Sequence, residues 1–210
     1  MNNYIYTNPN SLSSEICNLI IDNFEKENGK YAGVTASGLN KDIKDTTDFN
    51  IPYNNVNENN YQYKNWKKMY NLLETELNRN VNIYVSELNK TINDNHIKEN
   101  TILSYKCFTK DYLSNTNFMI QKYLKNNGRY IYHDDFAIEW TEHKYRVITF
   151  LWYLNTVEEG GETEMWGNYN IKPEIGKLLL FPACWTFPHR GKMPISSNKY
   201  IITGWLYTHN

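Results

Sequence analysis

Cysteine is scarce and scattered in this chain. Cys17, Cys107 and Cys184 are odd in number and form no CxxC pair, which argues against a disulfide framework and against a zinc knuckle. Three reduced, mostly buried thiols are expected instead. The chain also lacks any block of Lys and Arg: 22 basic residues against 23 acidic ones give a net charge of -1. A broad electrostatic footprint for nucleic acid is therefore not visible. The opening MNNYIYTNPNS has neither a basic n-region nor an apolar h-region, and no apolar run approaches the length of a bilayer span. These absences predict no membrane association and a reducing, cytoplasmic setting. No internal repeat and no flexible linker divides the 210 residues, so a single domain over 1–210 is expected, large enough for a real core.

What the chain has in abundance is aromatic side chains. They make up 15% of it, with 18 Tyr and 6 Trp, while the mean hydropathy is only -0.70. Bulky rings must therefore supply much of the core, with Asn, Lys, Asp and Glu outside. Residues 13–27 predict an amphipathic helix: Ser13 can cap it, Glu15 suits its first turn, and Ile16, Leu19, Ile20 and Phe24 recur at helical spacing. Gly29 is expected to end it. Residues 30–62, rich in Asn, Asp, Thr and Gly, predict a strand or two joined by loops, including the stretch NNVNENN. A long helix over about 64–92 follows, with Trp66, Met69, Tyr70, Leu73, Leu77, Val81, Tyr84 and Leu88 as one core-facing stripe.

From about residue 116 the periodicity shortens. Phe118–Tyr123, Tyr130–His133, Arg146–Tyr153, Lys177–Pro182 and Tyr200–Tyr207 are strand-like runs separated by turn formers. The expected class is mainly β with N-terminal helices: a helical support region over 1–115 packed against a double-stranded β-helix, or jelly roll, over 116–210.

Within that second half, His133 and Asp135 are two residues apart on a predicted strand, so both point to one face while Asp134 points away. Should the ladder bring His189 alongside, two imidazoles and a carboxylate would occupy one face of an octahedral metal and leave the opposite face open. The same set also serves catalytic zinc. Lys199 and Thr203, four residues apart on another strand, share a face and form a candidate carboxylate grip, since a buried ammonium must be paired. A barrel mouth is a natural place for the pocket that would hold them.

The segments MIQKYLKNNGRYIYHDDF, RVITFLWYLNTVEEGGETEMW and IKPEIGKLLLFPACWTFPHRGKMPISSNKYIITGWL resemble the 2-oxoglutarate/Fe(II)-dependent dioxygenases, specifically the prolyl 4-hydroxylase-like branch. The resemblance covers roughly residues 118–207; SLSSEICNLIIDNFE looks more weakly like the family's leading helix. It implies that His133, Asp135 and His189 ligate Fe(II). It further implies that Lys199, Tyr123 and Thr203 bind the distal carboxylate of the co-substrate 2-oxoglutarate. Arg146, Tyr130 and Trp205 match positions that touch peptide substrate in some prolyl hydroxylases, and Arg146 is taken also as a catalytic residue. Gly160 and Gly161 are expected to serve backbone conformation, with Thr163 lining the pocket. A Lys rather than an Arg at the grip position sets the chain apart from the nucleic-acid demethylases of the superfamily. Short connections after Asp135 and Thr163 depart from larger members, which carry substrate-covering segments there.

The implied activity is hydroxylation of an aliphatic C–H, in the first place a prolyl residue of a peptide or protein, with dioxygen consumed and succinate and carbon dioxide released. Ascorbate is a further cofactor that the resemblance suggests. A lysyl side chain or a free amino acid is the alternative substrate, and a non-catalytic jelly-roll binding module the alternative of another class.

Overall fold

Nearly every predicted strand recurs, but the chain opens with one that its sequence does not announce. The computed structural model describes residues 4–52, 61–97, 113–115, 117–141 and 143–209. The stretch NNVNENN and Cys107 lie outside these residues. Strand β1 (Tyr6–Asn8) precedes helix α1 (Ser14–Lys26). Ser13 caps α1, its hydroxyl accepting from the Ile16 amide. The helix ends at Glu27, not at Gly29, where the Glu27 amide closes on the Phe24 carbonyl at 3.0 Å. Its buried stripe is Cys17, Ile20 and Phe24; Leu19, expected inside, is 53% exposed.

Strands β2 (Tyr31–Ala32), β3 (Lys44–Asp45) and β4 (Thr47–Asn50) follow, then helix α2 (Tyr61–Ile97). All eight residues of its predicted stripe are buried. The β half continues with β5 (Leu113–Asn115), β6 (Met119–Tyr123), β7 (Arg129–His133), β8 (Ile138–Glu139) and β9 (Lys144–Tyr153). It closes with β10 (Thr163–Met165), β11 (Tyr169–Ile171), β12 (Leu178–Pro182), β13 (His189–Gly191) and β14 (Lys199–His209). The three-residue strands β10, β11 and β13 are too short to leave a period in the sequence.

These strands form the two sheets of a jelly roll. The larger runs β1-β12-β9-β14-β6-β4-β2, with β5 paired to β14 and β8 to β9; the smaller runs β11-β10-β13-β7-β3. The larger sheet is covered on both faces, which explains its almost continuous apolar runs. Along β9, Phe150 and Trp152 face the helices, in one core cluster with Phe24, Trp66, Leu73 and Tyr84. Their neighbours Leu151 and Tyr153 face the other way, with Met165, Phe181 and Phe187. Side chains alternate along a strand, so one run of residues builds two cores. Among the described residues no helix is long and apolar enough to cross a membrane.

One glycine ties the N-terminal segment to the barrel. The Gly176 carbonyl accepts from the Ser11 and Leu12 amides at 3.0 and 3.1 Å. Its φ is +80°, and a Cβ there would lie 2.1 Å from the Leu12 carbonyl oxygen. Gly176→Ala is expected to cost about 2 kcal/mol or more, from left-handed strain plus the clash. Gly167→Ala, at φ +77° with open space around it, carries the strain alone and should cost about 1 kcal/mol. Urea unfolding of both variants against the native protein measures the difference.

Candidate metal centre and its cavity

Strand pairing brings the two histidines together. In the antiparallel β13–β7 ladder His189 stands opposite His133. Asp135 lies two residues past the end of β7, still on the His133 side. Ligand atoms of the three residues all fall within 4.8 Å of one another. Asp135 sits between the rings, 3.8 Å from His133 Nε2 and 3.4 Å from His189 Nε2. Asp134 turns outward, where its carboxylate accepts from the Phe136 amide.

The surroundings fix how each donor faces. His133 Nδ1 lies 2.8 Å from the Ile131 carbonyl, and His189 Nδ1 lies 3.0 Å from that of Phe187. A proton on each Nδ1 satisfies those carbonyls and leaves both Nε2 lone pairs directed at the space beside Asp135. Tyr130 stacks on His133 at 3.6 Å, and Phe181 meets His189 edge-on at 4.9 Å. Burial, then the neighbouring His189, pushes His133 down to about 4, against the pull of Asp135. Burial alone would raise Asp135, but the positive charge that the two imidazoles carry when protonated, with the hydrogen bonds of Thr149 and Trp205, outweighs it and holds the carboxyl below its usual range. The Thr149 hydroxyl donates to Asp135 Oδ2 at 2.7 Å. Two imidazoles and a carboxylate, converging on one side, fit a divalent metal with open positions, which they would bind as neutral rings and an ionised carboxylate.

The trio lines a cavity of about 420 Å³ that also contains Lys199, Tyr123, Thr203, Arg146, Tyr130 and Trp205. Every sequence-predicted site residue therefore reaches one space. Lys199 is 1% exposed. Its ammonium lies 4.7 Å from the Tyr123 ring and 5.6 Å from the Tyr153 ring, and it forms no ion pair among the described residues. Burial brings its pKa down to about 7, opposed only by the charge of Glu162. A buried cation without a counter-ion, in the cavity that holds a metal donor set, fits the far carboxylate of a metal-chelating diacid.

The other residues are arranged in ways the sequence does not specify. Tyr123 faces Lys199 across the β6–β14 ladder, but its hydroxyl donates to Gln121 Oε1 at 3.3 Å. Thr203 commits its hydroxyl proton to the Phe150 carbonyl at 3.0 Å, leaving it only acceptor capacity toward the cavity. Arg146 lies over the Trp205 ring at 3.6 Å and donates to the Tyr207 hydroxyl at 2.9 Å. It forms part of the cavity wall, with no hydrogen bond or ion pair to the metal trio among the described residues. Thr163 is buried and takes the Tyr153 hydroxyl proton. Gly160 and Gly161 both have positive φ, +73° and +74°. Thr149, in the run RVITF, carries no sequence sign of its bond to Asp135. Lys44 and Asp48, which also line the cavity, fall in the 30–62 region, whose composition looks like a solvated polar loop; Gln121, a further lining residue, sits on the predicted strand Phe118–Tyr123 with no motif to mark it.

Residues 118–207 match the 2OG-Fe(II) oxygenase superfamily. No curated protein matches the chain. Among solved structures, a Trichoplax adhaerens prolyl hydroxylase in complex with a hypoxia inducible factor oxygen degradation domain peptide fragment aligns at TM-score 0.65 and 20% identity. That alignment covers 99% of this chain and 84% of the other. The viral collagen prolyl hydroxylase of Paramecium Bursaria Chlorella virus-1, as its 2OG complex, aligns at TM-score 0.62 and 17% identity, covering 98% and 96%. A Pseudomonas putida prolyl-4-hydroxylase aligns at 0.61 and 13%, covering 99% and 93%. At these identities the likeness is one of fold.

Lys199 should cost stability in the ligand-free protein. Its folded pKa of about 7 lies below the unfolded value of 10.5, so the unfolded chain binds more protons between those limits. The penalty is full below pH 7 and fades as pH rises toward 10.5. Lys199→Met is therefore expected to stabilise the ligand-free protein by about 2–4 kcal/mol at pH 7. That advantage should shrink steadily in denaturant titrations repeated up to pH 10.

Proposed function

Because residues 118–207 belong to the 2OG-Fe(II) oxygenase superfamily, we propose that this dioxygenase hydroxylates a prolyl residue of a peptide or protein. Its cofactors are Fe(II) and 2-oxoglutarate, with dioxygen as the oxidant. His133, Asp135 and His189 hold the iron; Lys199 holds the distal carboxylate of 2-oxoglutarate, and Tyr123 and Thr203 join it by turning their hydroxyl protons from Gln121 and the Phe150 carbonyl to the incoming acceptor. The observation that carries this reading is the meeting, in one cavity, of a His, Asp, His donor set and a buried lysine with no ion pair among the described residues.

The iron and 2-oxoglutarate together supply the oxidising power that puts one atom of dioxygen into a C–H bond, with release of succinate and carbon dioxide. The chain's own residues prepare the place. The Ile131 and Phe187 carbonyls hold the imidazole tautomers. The Thr149 hydroxyl donates to Asp135 and aims its carboxylate. Lys199 fixes the far end of the co-substrate by a charge-assisted contact. Tyr130, Arg146 and Trp205 form the wall against which a substrate lies, and the surrounding apolar residues keep it dry. The family relationship and the shared fold of three prolyl hydroxylases, one with a bound peptide fragment, support the prolyl assignment. The chain is read as one catalytic unit over 1–210, and the free thiols of Cys17 and Cys184 suit a cytoplasmic setting.

A second reading, a free amino acid or a lysyl side chain as substrate, is favoured by one observation: the cavity contains a buried carboxylate, Asp48. Succinate release separates the two. A proline-rich peptide should stimulate it at least about tenfold over the uncoupled rate, while free proline and lysine should not. Stimulation by the free amino acids alone would replace the first reading with the second.

A further inference from the structure

Strands β3 and β4 bring a second charged group to the cavity, and neither metal nor co-substrate binding uses it. Lys44 Nζ lies 2.7 Å from Asp48 Oδ2, with side chains 5% and 1% exposed. Gln121 Nε2 donates to the same oxygen at 3.4 Å. Lys44 also lies 5.5 Å over the ring of Tyr130, which in turn stacks on His133. The pair is thus one ring away from a metal ligand, and through Gln121 it touches the Tyr123 hydroxyl.

The other oxygen of Asp48 is the anomaly. Asp48 Oδ1 is buried and has no hydrogen-bond partner among the described residues. An acceptor left unpaired in the interior is costly, and native proteins keep few of them. The Lys44 ammonium already balances the charge, so what Oδ1 lacks is a donor. An anionic substrate group would meet a like charge there, whereas an N–H would complete the set, most strongly if it belongs to an ammonium.

We propose that Asp48 is a specificity-determining residue that accepts a hydrogen bond from an N–H beside the carbon to be oxidised. This rests on the hydroxylase reading above and refines its substrate class. Two sources supply that chemistry. A prolyl residue inside a peptide has no N–H of its own, so the donor would be the amide of the residue after it. A free amino acid brings its own amine.

The test uses the full chain with Fe(II), 2-oxoglutarate and dioxygen, and reads hydroxylated product by mass spectrometry. The probes are a capped proline-containing peptide, the same peptide N-methylated on the residue after proline, L-proline, and N-acetyl-L-proline. Blocking the donor is expected to lower kcat/KM at least tenfold in the native protein. Asp48→Asn and the paired variant Lys44→Met with Asp48→Leu should lose most of that discrimination. The paired change leaves no buried charge alone and guards against a folding failure of the single one. Preference for the peptide assigns the amide source, and preference for L-proline the amine source. Indifference to blocking, or equal discrimination in all three proteins, overturns the role of Asp48. So does a panel with no product while the anaerobic Fe(II)–2-oxoglutarate absorption band still forms. Loss of that band in the native protein instead means that the oxygenase reading itself has failed.

Discussion

The site depends on the register of two short strands. Because β13 pairs antiparallel with β7 so that His189 faces His133, the imidazoles meet within reach of a carboxylate only two residues from one of them. A slip of one residue would turn His189 to the other face of the sheet. The sheet guards against this. β13 is held on its other side by β10, where Met165 stands opposite His189, and Met165 is fully buried in the inner core. Phe181 and Tyr130 close on the two rings from either side. Core packing therefore sets the geometry of the donor atoms before any metal arrives.

The cavity is electrically uneven, and that is costly to the ligand-free fold. Lys199 carries an ammonium into a wall of aromatic rings with no counter-ion among the described residues, and burial brings its pKa down to about 7. Asp135 is the reverse case: although buried, it is held ionised by the imidazoles and hydroxyl around it. Lys44 and Asp48 cancel one another's charge but leave one oxygen unpaired. The functions proposed for Lys199 and Asp48 thus draw on groups that an apolar replacement of the same shape would render more stable.

Much of this was legible in the sequence where burial leaves a pattern. The stripe from Trp66 to Leu88 and the long runs of β9 and β12 are read directly, because two-sided burial makes them apolar. The metal trio and Lys199 are legible as residue types at telling spacings, and the cavity gathers all of them. What escaped has a physical cause in each case. Leu19 fits the helical period but lies outside the buried stripe Cys17, Ile20 and Phe24, and is left on the solvent side of α1. The three-residue strands are held by their neighbours and carry no period of their own. Lys44, Thr46 and Asp48 alternate on one face, yet their polarity reads as solvent exposure until the fold buries them.

The most direct test is anaerobic titration of the metal-free protein with Fe(II) and 2-oxoglutarate, following the visible band of their chelate. The band should appear only with both present and vanish in His189→Ala. In Lys199→Met, iron binding should persist while the 2-oxoglutarate requirement rises about 30-fold, the equivalent of one charge-assisted hydrogen bond of about 2 kcal/mol. A folded protein that gives no band, or a Lys199→Met variant that loses iron and 2-oxoglutarate equally, would contradict the account.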